Sequence, residues 1–304
     1  MRKLLGTCLL IAAMLLPLTG CGGFDLFGSE IDSYQPPSPE DHTPAGLVAR
    51  GQYSAALEAL QPGLRLGEPE AVFYVLTIRK NGLDGRAANP EELRLLWDVL
   101  ILRSEMMRQG LRDSSLSTAT KNAYRTALAQ LAYFGSDPSI WPPQPPADQT
   151  ERDRAAANAV RYLSTALSDF TPAMNFMAYL YLEPSYQSPS QAYAASLTAA
   201  ERGDFLAMGN MAWLLRGGVG VEKNDLRAAH WARQGCQSLP PVSRNQNEMG
   251  YVYEAGLGVT ADLAEAAIWY GRSAAQGHQA GAANALRLKK ETVEPAVLDD
   301  EILF

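Results

Sequence analysis

Apolar side chains recur along this chain with the spacing of a helix face, and glycine, proline and asparagine interrupt them at short intervals. Ala207, Met211 and Leu215 each lie four residues apart, which makes one stripe on a helix. Gly217-Gly218 predicts the end of that helix, because glycine accepts the left-handed conformation of a C-terminal cap. Val219 and Val221 flank Gly220 in a short loop, and Asn224 or Asp225 can cap a second helix. Ala228, Ala229 and Trp231 fall on that second helix, the alanines permitting close approach and the tryptophan filling a groove. The unit is an antiparallel helix hairpin. Further helices are predicted upstream. Ala49, Tyr53, Ala56, Leu57 and Leu60 form one stripe. Asn89-Pro90-Glu91-Glu92 starts a helix with a cap, a first-turn proline and acids at the positive end of the dipole. Leu93 to Met107 continues it, and Ser117-Thr118 leads into another through Ala123, Leu128 and Leu131.

The hairpin is written twice. Met211 to Trp231 returns 38 residues later as Met249 to Trp269, without a gap. Gly218-Val219-Gly220-Val221 becomes Gly256-Leu257-Gly258-Val259, and Ala228-Ala229 becomes Ala266-Ala267, with Asp262 as the cap. A period of this length predicts an all-α fold, an α-solenoid of antiparallel helix pairs. Gly67, Ala71, Val75 and Gly82 keep the spacing of Gly203, Ala207, Met211 and Gly218. Ala173, Met177, Ala192 and Ala199-Ala200…Gly203 trace another degenerate unit. Gly235-Cys236 to Pro241 departs from the second-copy ending Ala274…Gly277, so the junction after Trp231 is expected to be irregular.

These residues resemble the Sel-one-like repeat, a relative of the tetratricopeptide repeat. Gly203, Ala207, Met211, Gly218, Gly220, Val221, Asn224, Ala228 and Trp231 match its pattern, as do their counterparts through Gly277. The resemblance implies stacked hairpins whose first helices make a concave recognition face. Asn210, Trp213, Arg216, Tyr251 and Glu254 are the candidate partner contacts on it, Trp213 and Tyr251 also being open to a packing role.

The N-terminus reads as targeting. Arg2 and Lys3 precede an apolar run from Leu4 to Leu18, which is shorter than the roughly 20 residues of a membrane span. Leu18-Thr19-Gly20-Cys21 resembles a bacterial lipoprotein box, which implies cleavage before Cys21 and lipidation of its thiol and new amino group. Gly22 in place of aspartate implies, by the sorting rule of such lipoproteins, the outer membrane facing the periplasm. The expected organisation is therefore a signal peptide at 1–21, a Gly- and Pro-punctuated tether at 22–44 and N-terminal hairpins at 45–135. A Pro-rich linker at 136–150, a repeat solenoid at 151–288 and an acidic tail at 289–304 follow. The linker, through Trp141-Pro142-Pro143-Gln144-Pro145-Pro146, can join two modules or offer an extended ligand. The tail, ending Asp299-Asp300-Glu301-Ile302-Leu303-Phe304, can cap the solenoid or dock a partner.

Composition narrows the function. The net charge is −7, with 47% apolar and 19% charged residues, a globular and acidic balance without the basic clusters of a nucleic-acid binder. Cys8 leaves with the signal and Cys21 carries lipid, so Cys236 remains, a small buried residue or a reactive thiol. His42, His230 and His278 have no zinc spacing, and His278 is expected in a turn or capping role. Gly217-Gly218-Val219-Gly220 lacks the Lys-Ser/Thr of a phosphate loop. No cofactor, metal site or catalytic set is expected. The reading is a non-enzymatic envelope scaffold that binds protein partners and holds the membrane through its lipid. Repeat lipoproteins of this kind are similar to the alginate-secretion lipoprotein, which points to exopolysaccharide export as one setting. The alternatives are a cell-wall or polysaccharide-modifying enzyme or its regulator, marked by a carboxylate pair in a groove, and a surface-exposed host-binding factor.

Overall fold

Helix starts and stops are set by local chemistry along most of the chain. A computed structural model describes residues 41–293 apart from 138, 140, 168, 169, 239 and 240. Cys21, the signal peptide, most of the tether and the tail beyond Val293 lie outside the described residues. Among these the elements are all helical: α1 (Pro44–Ala49), α2 (Tyr53–Leu66), α3 (Pro69–Lys80), α4 (Pro90–Leu102), α5 (Ser104–Gly110), α6 (Thr118–Phe134) and α7 (Gln149–Leu163). The series continues as α8 (Thr171–Leu182), α9 (Pro189–Glu201), α10 (Phe205–Gly217), α11 (Asp225–Gly235), α12 (Ser243–Ala255), α13 (Leu263–Ala275) and α14 (Gln279–Val293).

The repeated frame folds as its chemistry requires. Gly218 and Gly256 end α10 and α12 in the left-handed conformation, at φ 66° and 67°. Asn224 and Asp262 then accept the backbone N–H groups of Arg227 and Glu265 and so start α11 and α13. Each such cap is worth about 1 kcal/mol. Trp231 and Trp269 are both buried, with Ala228, Ala229 and Ala266 beside them. Asn89 caps α4 through the N–H groups of Glu91 and Glu92.

Two expected helices are broken. The stripe from Ala49 to Leu60 is interrupted at Arg50–Gln52, where Gly51 takes φ 68° and the ring of Phe205 packs over it. The run from Leu93 to Met107 is divided at Arg103, which leaves helical geometry and reaches back to the Leu66 carbonyl at 3.4 Å. At each break a group distant in sequence packs against the chain.

The irregular junction after Trp231 has a specific cause. The Asn245 amide donates to the carbonyls of Phe205 and Gly235, at 2.8 and 3.0 Å. A β-carbon on Gly235 would lie 2.3 Å from that amide, so glycine is required there. Ser238 accepts the Val242 N–H and closes the turn before α12.

Neighbouring helices pack in antiparallel pairs, α8 with α9, α10 with α11 and α12 with α13. The Pro-rich stretch connects α6 to α7, which pack directly on each other. Leu128 and Leu131 before it share one core with Ala156, Ala159 and Leu163 after it, so this stretch does not separate two modules. A second core runs from Met174 to Trp269, and a small third one holds Ala266, Tyr270 and Leu288. The array also returns on itself. Val242, at the start of α12, is buried in the first core. Gly82, after α3, lies against the backbone of Gln276, and Ala87 and Ala88 lie against Gly277. The turn between α3 and α4 thus meets the turn between α13 and α14, and the concave face becomes a deep groove.

Candidate functional site: the concave groove

The groove has two adjoining lobes of about 480 and 550 Å³. Asn175, Tyr179, Asn210 and Arg244 line both, which makes the space continuous from α3 to α14. The first helix of each pair supplies much of the wall: α8, α10, α12 and the leading turns of α14. The outer helices α11 and α13 carry exposed Leu226, Leu263 and Ile268 on the opposite side.

The five residues singled out from the sequence divide in two. Asn210, Trp213 and Arg216 line the groove, Trp213 being 37% exposed. Tyr251 and Glu254 stand one turn further along α12 and are outside both lobes. Tyr251 lies under the Arg216 guanidinium at 4.4 Å. Glu254 accepts from the Tyr270 hydroxyl at 2.7 Å and from Arg287 at 2.8 Å. Burial works against its charge, yet these donors hold its pKa below the usual glutamate value. Arg216 in turn donates to Glu248, a buried carboxylate that also accepts from the Asn247 amide. Asn284 donates to Asn247 at 3.0 Å, which ties α14 to α12.

The first lobe is more aromatic. Phe134, Phe176 and Tyr179 line it, and the Phe176 and Tyr179 rings stack at 6.0 Å. Lys80 extends over Phe134 at 5.2 Å, and the surrounding protein lowers its pKa by desolvation. Pro143, Gln144 and Pro145 close one side, so the Pro-rich stretch is part of the wall. Asp204 also faces this lobe, but its carboxylate caps α10 at the Ala207 N–H and accepts the Asn175 amide.

Arg244 stands between the lobes. Its stem packs on Gly209, and its guanidinium makes no hydrogen bond or ion pair with any described residue. Desolvation lowers its pKa, opposed by the field of Glu248. His278 faces the second lobe and accepts the Gly281 N–H at the start of α14. Burial, and then Arg244, push its pKa down to about 4, so the ring is neutral at neutral pH.

Among the described residues that line the two lobes, the carboxylates stand in different lobes. Asp204 lies in the first lobe and Glu248 in the second, each engaged by its own donors. No group of three or more His, Cys, Asp or Glu able to hold a metal occurs among the described residues. His230 packs against Trp231 on α11, away from the groove. Cys236 is buried at the end of α11.

Lys80, Arg244, Asn175, Asn247 and Asn284 were missed in the sequence. One signal for them was present: Asn175, Asn210, Asn247 and Asn284 recur at close to the repeat spacing. Lys80 and Arg244 carried none, since only the return of the array brings α3 and α12 to one cavity.

Comparison with known proteins follows this geometry. Two solved structures resemble the chain. One is a protective antigen present in uropathogenic Escherichia coli strains displaying an SLR fold, with 16% identity and TM-score 0.44 over 83% of this chain. The chain spans 58% of that protein's length. The other is a Sel1 repeat protein from Oxalobacter formigenes, with 19% identity and TM-score 0.42, covering 80% of this chain and 76% of that one. No curated protein matches the chain. The Sel1 repeat model matches residues 171–204, 206–238 and 246–278. The pairs α8–α9, α10–α11 and α12–α13 are therefore three consecutive Sel1 repeats, carried by a chain whose described residues are all-helical.

Proposed function

We propose that this protein is a non-enzymatic scaffold that docks a partner protein in its concave groove. The observation that carries the reading is the continuity of the groove across four inner helices, with Asn210 and Trp213 presented to whatever enters it. Its polar side chains are arranged for holding a surface, and its two carboxylates are committed to structural partners. Extended concave faces of stacked helix pairs are suited to such docking. In this proposal residues 1–21 are a cleaved leader, and lipid on Cys21 anchors the body to the outer membrane on its periplasmic side. Residues 22–44 are the tether, and the partner belongs to the cell envelope. Assembly of an exopolysaccharide secretion complex is the setting we put forward.

A photo-crosslinking side chain at Asn210, compared with one at the outward-facing Leu226, tests the docking claim in intact cells. Protein adducts from position 210 and few from 226 are expected. Adducts from 226 alone would refute groove docking. Membrane fractionation of a Cys21→Ser variant tests the anchor: release into the soluble envelope fraction is expected, and unchanged membrane retention would refute it.

A further inference from the structure

We infer that the groove takes an extended acidic peptide segment of its partner, which deepens the docking proposal and rests on it. The chain carries a net −7, yet this groove presents Lys80 and Arg244 without carboxylate partners among the described residues. The third groove cation, Arg216, is neutralised by Glu248. The remaining carboxylate, Asp204, is spent on the α10 N-terminus and the Asn175 amide. His278 is uncharged at neutral pH. The groove is therefore net positive inside an acidic protein, and a half-buried guanidinium without a counter-ion gains when a carboxylate arrives.

The asparagines argue for main chain. Asn175, Asn210, Asn247 and Asn284 stand one on each inner helix of successive pairs and face the same space. A carboxamide offers a donor and an acceptor, which is what a peptide unit requires. The Asn175 Oδ1 atom is buried without a hydrogen-bond partner, and Asn210 has none with any described residue. Inner helices about 10 Å apart, read by a strand rising roughly 3.3 Å per residue, accommodate about ten residues from α8 to α14. Apolar wall between the amides, at Ala178, Leu182 and Trp213, receives the intervening side chains.

The test uses the full chain and fluorescence anisotropy with a labelled peptide of about ten residues alternating aspartate and small apolar residues. Its lysine counterpart and a polyuronate oligosaccharide are the comparisons. Binding of the acidic peptide alone is expected, weakened about tenfold by Arg244→Gln or Lys80→Gln and unchanged by Arg227→Gln on the outer face. Equal binding of acidic and basic peptides, or indifference to Arg244→Gln in a variant with unchanged circular dichroism, would overturn the inference. Preference for the polyuronate would also overturn it in favour of a polysaccharide ligand. A rise in peptide affinity of more than about tenfold on deleting residues 294–304 would overturn it in favour of the chain's own acidic tail. Crosslinks from position 210 without acidic selectivity would sink this inference alone. Absence of crosslinks there would sink the docking proposal beneath it.

Discussion

Arg216 on α10 donates to both oxygens of Glu248 on α12, Nε to Oε2 at 2.9 Å and Nη2 to Oε1 at 3.3 Å. The carboxylate is only 4% exposed and the guanidinium 27%, so this is a joint between repeats at the groove wall. Breaking a buried pair leaves one charge uncompensated. Glu248→Ala is expected to destabilise by about 2–3 kcal/mol, discounted from the fully buried case because Arg216 keeps some solvent. Glu248→Ala combined with Arg216→Leu should recover part of that loss. Thermal melts of the single and double variants decide it, and an unchanged melting temperature for Glu248→Ala would remove the joint from the account.

Gly220 and Gly258 hold the same loop position in successive repeats, with φ 73° and 66°. A β-carbon at Gly220 would sit 2.0 Å from the Pro189 carbonyl oxygen, at the start of α9. At Gly258 the nearest atom is an Arg233 nitrogen at 3.5 Å. Both alanine variants bear a left-handed backbone cost of about 1 kcal/mol. Gly220→Ala must also displace neighbouring backbone, which adds roughly 1–3 kcal/mol. A lower melting temperature for Gly220→Ala than for Gly258→Ala is expected, and equal melting would show that the loop does not press on α9.

The return of the array can be locked. The Ala87 β-carbon lies 3.5 Å from where a β-carbon on Gly277 would be. That is at the short end of the disulfide range of about 3.5–4.5 Å. Ala87→Cys with Gly277→Cys should oxidise to a crosslinked form that migrates faster on a non-reducing gel, even after the cost of φ 82° at position 277. Native circular dichroism with no crosslink under oxidising conditions would mean that the two turns do not meet.

His278 makes stability fall on acidification. Its folded pKa is about 4, against an ordinary value of 6.5. Between those values the unfolded chain takes up a proton that the folded chain refuses, so the contribution is complete above pH 6.5 and is lost as the pH falls toward 4. It amounts to about 2–3 kcal/mol once solvent screening of the partly exposed ring is discounted. His278→Asn cannot titrate, and it should lose less melting temperature between pH 7.5 and pH 4.5 than the parent. Parallel losses would assign the acid sensitivity to the carboxylates.

The repeated hairpin was legible because its signals are local. The left-handed turns at Gly218 and Gly256 and the caps at Asn224 and Asp262 depend on a few adjacent residues, and they sit where the spacing placed them. The breaks at Gly51 and Arg103 were not read from the apolar stripes, which run through both, and the groups packed there, Phe205 and the Leu66 carbonyl, come from far along the chain. The lining of the groove was partly legible for a related reason. Helical period placed Asn210, Trp213 and Arg216 on the inner face, but could not tell that Tyr251 and Glu254 are held by Arg216, Tyr270 and Arg287.

By itself the sequence determined the helix pairs, their period and the face each turns inward, because hydrophobic spacing and capping act within one or two turns. Tertiary structure alone decided that α3 and α12 face one cavity and that Lys80 and Arg244 share it. That outcome is the sum of small rotations between successive helix pairs. Each rotation is fixed by packing at an interface, such as Asn245 against Gly235, and no single repeat encodes the total.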